Sequence, residues 1–441
     1  MTERSAPALR EATAVWLRIG VLSFGGPAGQ IALMHRMIVE ERGWIGEARF
    51  LHALNFCMLL PGPEAQQLAT YIGWLLHGVR GGLIAGLLFI LPGAAAMMLL
   101  SLVYAFWGDV PLIGAVFYGV KAAVLAIVLQ ALVRIAGRAL RGAAAWAVAG
   151  AAFVAIFALA VPFPVIVLCA AIIGWVSAQM GSGWFSPAGD LAVARDGPLA
   201  DPSDHRAARV AGFVALVLWL GPVGLILLWA QGTVYSEIAG FFSTMAVVTF
   251  GGAYAVLAWV AQEAVSTQGW LAPGEMLDGL AMAETTPGPL ILVLQFVGFL
   301  AAFRDPGAVG PVAGGVLGSL LTLWVTFAPC FAWVFLGAPW MERLRGHKAL
   351  TASLAAVTAA VVGVILNLSL WFGLHVVFAE TVRAEIWPLR IELPVWETID
   401  PVATALAGLA LVAAFRFRLG VLPMIGLWGA AGVALHLAAL T

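Results

Sequence analysis

Four short clusters would stop a helix inside apolar sequence, and they come as two pairs. Phe24-Gly25-Gly26 and Pro61-Gly62-Pro63 lie in the first half of the chain; Phe250-Gly251-Gly252 and Pro287-Gly288-Pro289 lie in the second. Trp44 and Trp270 sit between the members of each pair, and every residue of the second set follows its counterpart by 226 positions. A helix that restarts after such a break, as Pro27 invites, opens with amide N–H groups lacking partners and with the positive end of its dipole. Four such openings fall near Ala28, Glu64, Ala253 and Leu290. If they meet, they form a donor-rich electropositive pocket suited to an oxyanion. The competing reading is a set of kinks that let helices pack closely.

Polar residues gather around these breaks. Gln30 follows the first, Gln66 and Gln67 follow the second, Thr285 and Thr286 precede the fourth and Gln295 follows it. Amides and hydroxyls can donate to an anion, or they can hold neighbouring helices together. Lys121 stands midway along the apolar run Pro111 to Val133, too far from either end to reach water. A charge there is a functional candidate, attracting a dianion, unless a carboxylate such as Glu64 or Glu284 pairs with it. Glu64 is placed to cap a helix, and Glu284 to carry a proton in an apolar half-helix; both are coupling candidates. His35 and Arg36 fit a solvated helix end. No metal-ligand cluster, nucleotide loop or nucleophile–base arrangement stands out, and no cofactor is expected.

The elements that must hold these residues are membrane helices. Of the 441 residues, 62% are hydrophobic and 10% charged, with a mean hydropathy of +1.00. Soluble domains carry about 25% charge. The apolar runs are long and lack period-two alternation, so the class is an all-α integral membrane protein rather than a barrel. The net charge of −1 gives no basic face for nucleic acid. Cys57, Cys169 and Cys330 lie in apolar stretches and read as small core residues. The first ten residues contain no apolar signal segment.

Thirteen membrane segments are expected, arranged as six, one and six. Residues 1–180 form a first repeat, 181–208 a cytoplasmic linker, 209–230 an extra transmembrane helix and 231–441 a second repeat. The odd extra helix inverts the second repeat relative to the first. Placing the N-terminus in the cytoplasm puts the Arg/Lys clusters at 134–141, 195–209, 343–348 and 416–418 inside, and leaves the C-terminus periplasmic. Arg36, Arg42 and Arg49 join them only if the broken segments are re-entrant hairpins. The half-helices, of about 11–15 residues, are too short to span but long enough to reach the midplane.

With these motifs the chain resembles the long, two-domain form of the chromate ion transporter family. The resemblance rests on Phe24-Gly25-Gly26-Pro27-Ala28-Gly29-Gln30, Leu60-Pro61-Gly62-Pro63-Glu64-Ala65-Gln66-Gln67-Leu68 and Tyr71-Ile72-Gly73-Trp74 in the first half. In the second half it rests on Phe250-Gly251-Gly252, Glu284-Thr285-Thr286-Pro287-Gly288-Pro289 and Gln295-Phe296-Val297-Gly298. It implies a bacterial inner-membrane protein that exports chromate and confers resistance, driven by the proton motive force or by exchange with sulfate. One departure is Ala253-Tyr254, which replaces the Gly-His type of pair that often follows the second Phe-Gly-Gly. Sulfate has chromate's shape and charge, so a sulfate or other oxyanion carrier is the alternative. A membrane enzyme would need an interfacial cluster of His, Asp or Glu. Glycine-rich faces that pack within one chain or between two leave a homodimer open.

Overall fold

The apolar runs fold as helices throughout. The structure is a computed structural model that describes residues 7–24, 26–108, 110–185, 202–250, 253–338, 348–386 and 389–438. Main-chain polar groups in a bilayer must be satisfied within the protein, and helices do this along their own length. Sixteen α-helices and one β-hairpin make up the described residues. Five helices are long and apolar enough to cross a membrane: Glu64–Trp107, Pro111–Ala139, His205–Trp229, Pro311–Gly337 and Lys348–Val377. The protein is an all-α, multi-pass membrane protein.

Each broken segment is two helices. In the first half, α1 (Leu9–Leu22) gives way to α2 (Gly26–His35), which a π turn extends over Arg36–Glu40. Then α3 (Glu47–Cys57) gives way to α4 (Glu64–Trp107). α4 is itself interrupted at His77–Gly78, where Gly78 takes φ 60°. Next come α5 (Pro111–Ala139), α6 (Ala143–Phe157), α7 (Phe163–Gln179) and α8 (Pro202–Trp229).

The second half repeats the opening pattern. α9 (Val234–Val248) is followed by α10 (Ala253–Ala261) with a π turn over Gln262–Thr267. α11 (Pro273–Thr285) is followed by a 3-10 turn (Leu290–Leu292) leading into α12 (Val293–Arg304). The π turns begin at 36 and 262, α3 and α11 at 47 and 273, and the next helical turns at 64 and 290. The 226-residue shift of the motifs is therefore also a shift of helix boundaries. The chain ends with α13 (Pro311–Gly337), α14 (Lys348–Val377), α15 (Pro401–Phe415) and α16 (Val421–Leu437). Between α14 and α15 lies an antiparallel hairpin, β1 (Thr381–Ile386) and β2 (Leu389–Pro394).

The helices pack as two compact units. The first comprises Met1–Leu102, Gly189–Ala253 and Thr286–Arg345; the second comprises Val103–Ala188, Tyr254–Thr285 and Gly346–Thr441. Each draws on both halves of the sequence. In the first, α13 packs on α8, α9 and α12. In the second, α5 packs on α11, α14, α15 and α16. Cys57 and Cys330 are buried as expected, but Cys169 is exposed, on the face of α7 that also exposes Leu168 and Ile172.

Candidate functional site

Two hydrogen bonds tie the breaks together. The Gly62 amide donates to the Thr249 carbonyl at 2.9 Å, and the Gly288 amide donates to the Ser23 carbonyl at 2.8 Å. The 226-residue shift converts one bond into the other, with donor and acceptor exchanged between halves. Such reciprocity is what a two-fold relation produces: residue i meets j′ and residue j meets i′. The neighbouring hydroxyls follow suit. Ser23 Oγ donates to the Ile19 carbonyl at 2.7 Å, and Thr249 Oγ1 to the Met245 carbonyl at 2.5 Å. Gly62 and Gly288 have φ of 118° and 93°, a region that a side chain makes costly. Glycine is thus what lets the chain reverse there and present its amide to the opposite half.

All four breaks border one cavity within the first unit. Its lining includes Pro27 and Gln30 from the first, Pro63, Glu64 and Ala65 from the second, Ala253 from the third, and Pro289, Leu290 and Ile291 from the fourth. Its volume is about 10 Å³, room for about one water. Gly25, Gly251 and Gly252 lie outside the described residues. Gly26 is buried, Phe24, Pro27, Pro61, Phe250 and Pro287 are half-buried, and Gly62, Pro63, Gly288 and Pro289 are buried.

Of the two roles open to the amides, the structure shows hydrogen bonds within the protein. Gln30 Nε2 donates to the Gly288 carbonyl at 2.6 Å, Gln67 Nε2 to the Pro61 carbonyl at 2.7 Å and Gln295 Nε2 to the Ala94 carbonyl at 3.0 Å. Gln66 Nε2 donates to Thr70 Oγ1 at 2.9 Å. Their nitrogens brace the breaks, while the buried Oε1 atoms of all four have no hydrogen-bond partner. A carbonyl partner fixes which end of the amide is nitrogen, so for Gln30, Gln67 and Gln295 the oxygen must be the orphan. Thr285 returns its hydroxyl to the Met282 carbonyl at 2.8 Å, and Thr286 is 5% exposed.

Lys121 is not a free ammonium. It belongs to the second unit, where its Nζ lies 3.2 Å from Asp278 Oδ1, and Tyr104 donates its hydroxyl to Asp278 Oδ2 at 2.9 Å. The partner is therefore neither Glu64 nor Glu284, and sequence reasoning missed it. The available signal was a second acid inside the apolar half-helix of Glu284, since such a carboxylate needs a partner. Glu284, 2% exposed, accepts from the Tyr254 hydroxyl at 2.8 Å. The residue that departs from the Gly-His pair is thus the one that holds Glu284. Glu64 opens α4 as a first-turn acid and borders the small cavity.

A larger cavity of about 500 Å³ lies within the second unit. Gln262, Ser266, Thr267 and Asn367 line it beside Arg390 and Glu392 of the hairpin. The Glu392 carboxylate is engaged by Thr381 Oγ1 at 2.5 Å and by His375 Nε2 at 3.4 Å. Among the described residues no group of three His, Cys, Asp or Glu side chains could hold a metal ion.

The chromate transporter family model matches residues 10–175 and 236–434, two blocks that open 226 residues apart. The chain is 33% identical over 432 residues to a chromate transport protein of Pseudomonas aeruginosa, covering 95% of this chain and 90% of that one. It is 28% identical over 359 residues to a chromate transport protein of Cupriavidus metallidurans, covering 81% and 80%. It is 28% identical over 362 residues to a probable chromate transport protein of Synechococcus elongatus, covering 82% and 83%. No solved structure matches the chain. The duplicated breaks, their reciprocal ties and this similarity across both halves lead to one conclusion: the chain belongs to the chromate transporter family.

Proposed function

We propose that the protein is a secondary active exporter of chromate that confers chromate resistance, with the four helix openings as the site that holds the anion in transit. The observation that carries this reading is the meeting of all four breaks at one cavity. Helix N-termini favour negative charge without placing a lysine or arginine in the bilayer. A cavity of about 10 Å³ is too small for a tetrahedral oxyanion, so loading parts the openings. The Gly62–Thr249 and Gly288–Ser23 bonds are the joints at which that happens. In this reading the repeats are inverted, the N-terminus is cytoplasmic and the C-terminus periplasmic in a bacterial inner membrane. Alternating access then exposes one site to either side. Glu284, held by Tyr254, is the candidate proton carrier. Lys121 serves as a tie between α5 and α11 through Asp278.

Flux of labelled chromate in proteoliposomes, with imposed pH or sulfate gradients, tests the reading. Chromate moves against its own gradient when one of these is applied. Ala253→Leu, which fills the small cavity, stops flux while the protein remains folded. If Arg390→Ala stops flux and Ala253→Leu does not, the site is instead the larger cavity, which has room for an oxyanion and a cation on its wall.

A further inference from the structure

We infer that the larger cavity of the second unit is an accessory oxyanion site, at which Arg390 and uncharged donors gather a partly hydrated tetrahedral anion apart from the small cavity. The inference rests on the reading of the protein as an oxyanion carrier and adds a second place of binding to it.

Three elements bring donors to this cavity. The π turn after α10 supplies Gln262, Ser266 and Thr267, α14 supplies Asn367, and β2 supplies Arg390. The Arg390 amide donates to the Ala158 carbonyl at 2.8 Å, which fixes β2 at the edge of the cavity beside Ile156 and Phe157. Side-chain amides and hydroxyls donate to an anion without adding charge, and a guanidinium offers a planar fork that matches two oxygens of an oxyanion. The described lining holds one acid, Glu392, and its Oε1 is engaged by Thr381 and His375, neither of which lines the cavity. The strand register sets Glu385 opposite Arg390. Arg390 is exposed, and surface pairs of that kind are weak, so an anion competes for the guanidinium. A volume of about 500 Å³ holds a tetrahedral oxyanion with much of its water shell. Binding here therefore avoids most of the cost of stripping an ion of its water.

The duplication singles out this lining. Shifted by 226 residues, Gln262, Ser266 and Thr267 correspond to Arg36, Glu40 and Glu41. Both segments carry a π turn, a distortion that recurs at functional sites. The first turn pairs its charges within the protein: His35 Nδ1 lies 3.1 Å from Glu40 Oε1, and Arg36 Nε 3.6 Å from Glu41 Oε1. In the second, a neutral donor replaces each of the three charged residues, and those donors line the cavity. Glu263, the acid of the second turn, accepts from Gln268 Nε2 at 3.0 Å and stands outside the lining. One repeat thus keeps a self-neutralised turn, and the other a turn cleared for the charge of a ligand.

The test is equilibrium dialysis of the purified full-length protein in neutral detergent against labelled chromate, repeated with labelled sulfate, at about 0.02 M and about 0.5 M ionic strength. Two equivalents of anion bind per chain at the lower salt, and one of them is lost at the higher, because the exposed Arg390 charge is screened. In Arg390→Ala the affinity of that equivalent falls roughly tenfold, and Arg390→Lys recovers only part of it. Asn367→Leu, which takes a donor from another wall, weakens the same equivalent. In Ala253→Leu the salt-sensitive equivalent is kept and the other is lost. A single equivalent in the wild-type protein, or two of unchanged affinity in Arg390→Ala, overturns the inference. So does displacement of the salt-sensitive equivalent by an anionic phospholipid but not by inorganic phosphate, which assigns the cavity to a lipid headgroup. Retention of both equivalents in Ala253→Leu leaves the accessory site standing and removes the transit site from the four breaks, a separate failure.

Discussion

Lys121 and Asp278 face each other at 3.2 Å, the ammonium 25% exposed and the carboxylate 8%. Such a pair neutralises itself, and removing one partner strands the other. Loss of a single member of a buried pair costs about 3–5 kcal/mol, whereas apolar replacement of both is often tolerated. Lys121→Met and Asp278→Asn are therefore each expected to lower the folded fraction, and the double variant to recover most of it. Size-exclusion profiles of the detergent-extracted protein after graded heating read this out. Additive losses in the double variant would show that the two residues act independently.

Tyr254 holds Glu284 by one hydrogen bond of 2.8 Å, and Arg134 is close enough to act on the carboxylate electrostatically. A group that carries a proton during transport must be able to lose and regain it. Glu284→Gln keeps the shape and a hydrogen-bonding partner for Tyr254 but cannot change its charge. It is expected to remain folded and to lose acceleration of chromate flux by an imposed pH gradient, while exchange without a gradient continues. Tyr254→Phe removes one hydrogen bond, worth about 1.5–3 kcal/mol to a charged acceptor. It should shift the pH dependence of flux without abolishing it. Undiminished acceleration in Glu284→Gln would remove this residue from coupling.

The inverted arrangement of the repeats that we propose predicts the sidedness of equivalent turns. Glu41 follows the first π turn and Thr267 ends the second; they differ by the 226-residue shift and are both exposed. Single cysteines at these positions, in a background lacking Cys57, Cys169 and Cys330, should label from opposite faces of the membrane with an impermeant thiol reagent. Labelling from the same face would mean that the repeats run parallel.

Much of this was legible in the sequence, because helix breakers inside apolar runs have few uses. Gly62 and Gly288 gave the breaks, and the fixed shift indicated that the breaks belong together. The partners were not legible. Nothing in the order of residues states that Asp278, on another helix, comes within reach of Lys121, or that Tyr254 turns its hydroxyl toward Glu284. The glutamines show the same limit from the other side. Their types suggested donors for an anion, yet an amide has two ends. Only the carbonyls of Gly288, Pro61 and Ala94 determine that the nitrogens are engaged and the oxygens left over. The hairpin Thr381–Pro394 escaped notice because its charged residues alternate with apolar ones over a stretch too short to stand out between long helices.

The reciprocal ties separate main-chain from side-chain roles at the breaks. The bonds from Gly62 and Gly288 end on the carbonyls of Thr249 and Ser23, while the hydroxyls of those two residues turn back onto their own helices. Ser23→Ala and Thr249→Ala leave the ties in place and should cost no more than about 1 kcal/mol each. Gly62→Ala and Gly288→Ala force a side chain into the left-handed region, at about 1–2 kcal/mol. They also crowd neighbours: a methyl at 62 would come within 3.0 Å of Cys330 Sγ and of Gln67 Nε2, and one at 288 within 3.1 Å of Leu292. Both glycine variants are therefore expected to lose thermal stability and chromate flux together, in similar measure because the two sites are equivalent. The hydroxyl variants should keep both. Parallel measurement of melting temperature and flux across the four variants checks this, and a large loss in Ser23→Ala or Thr249→Ala would shift the tie from the main chain to the hydroxyls.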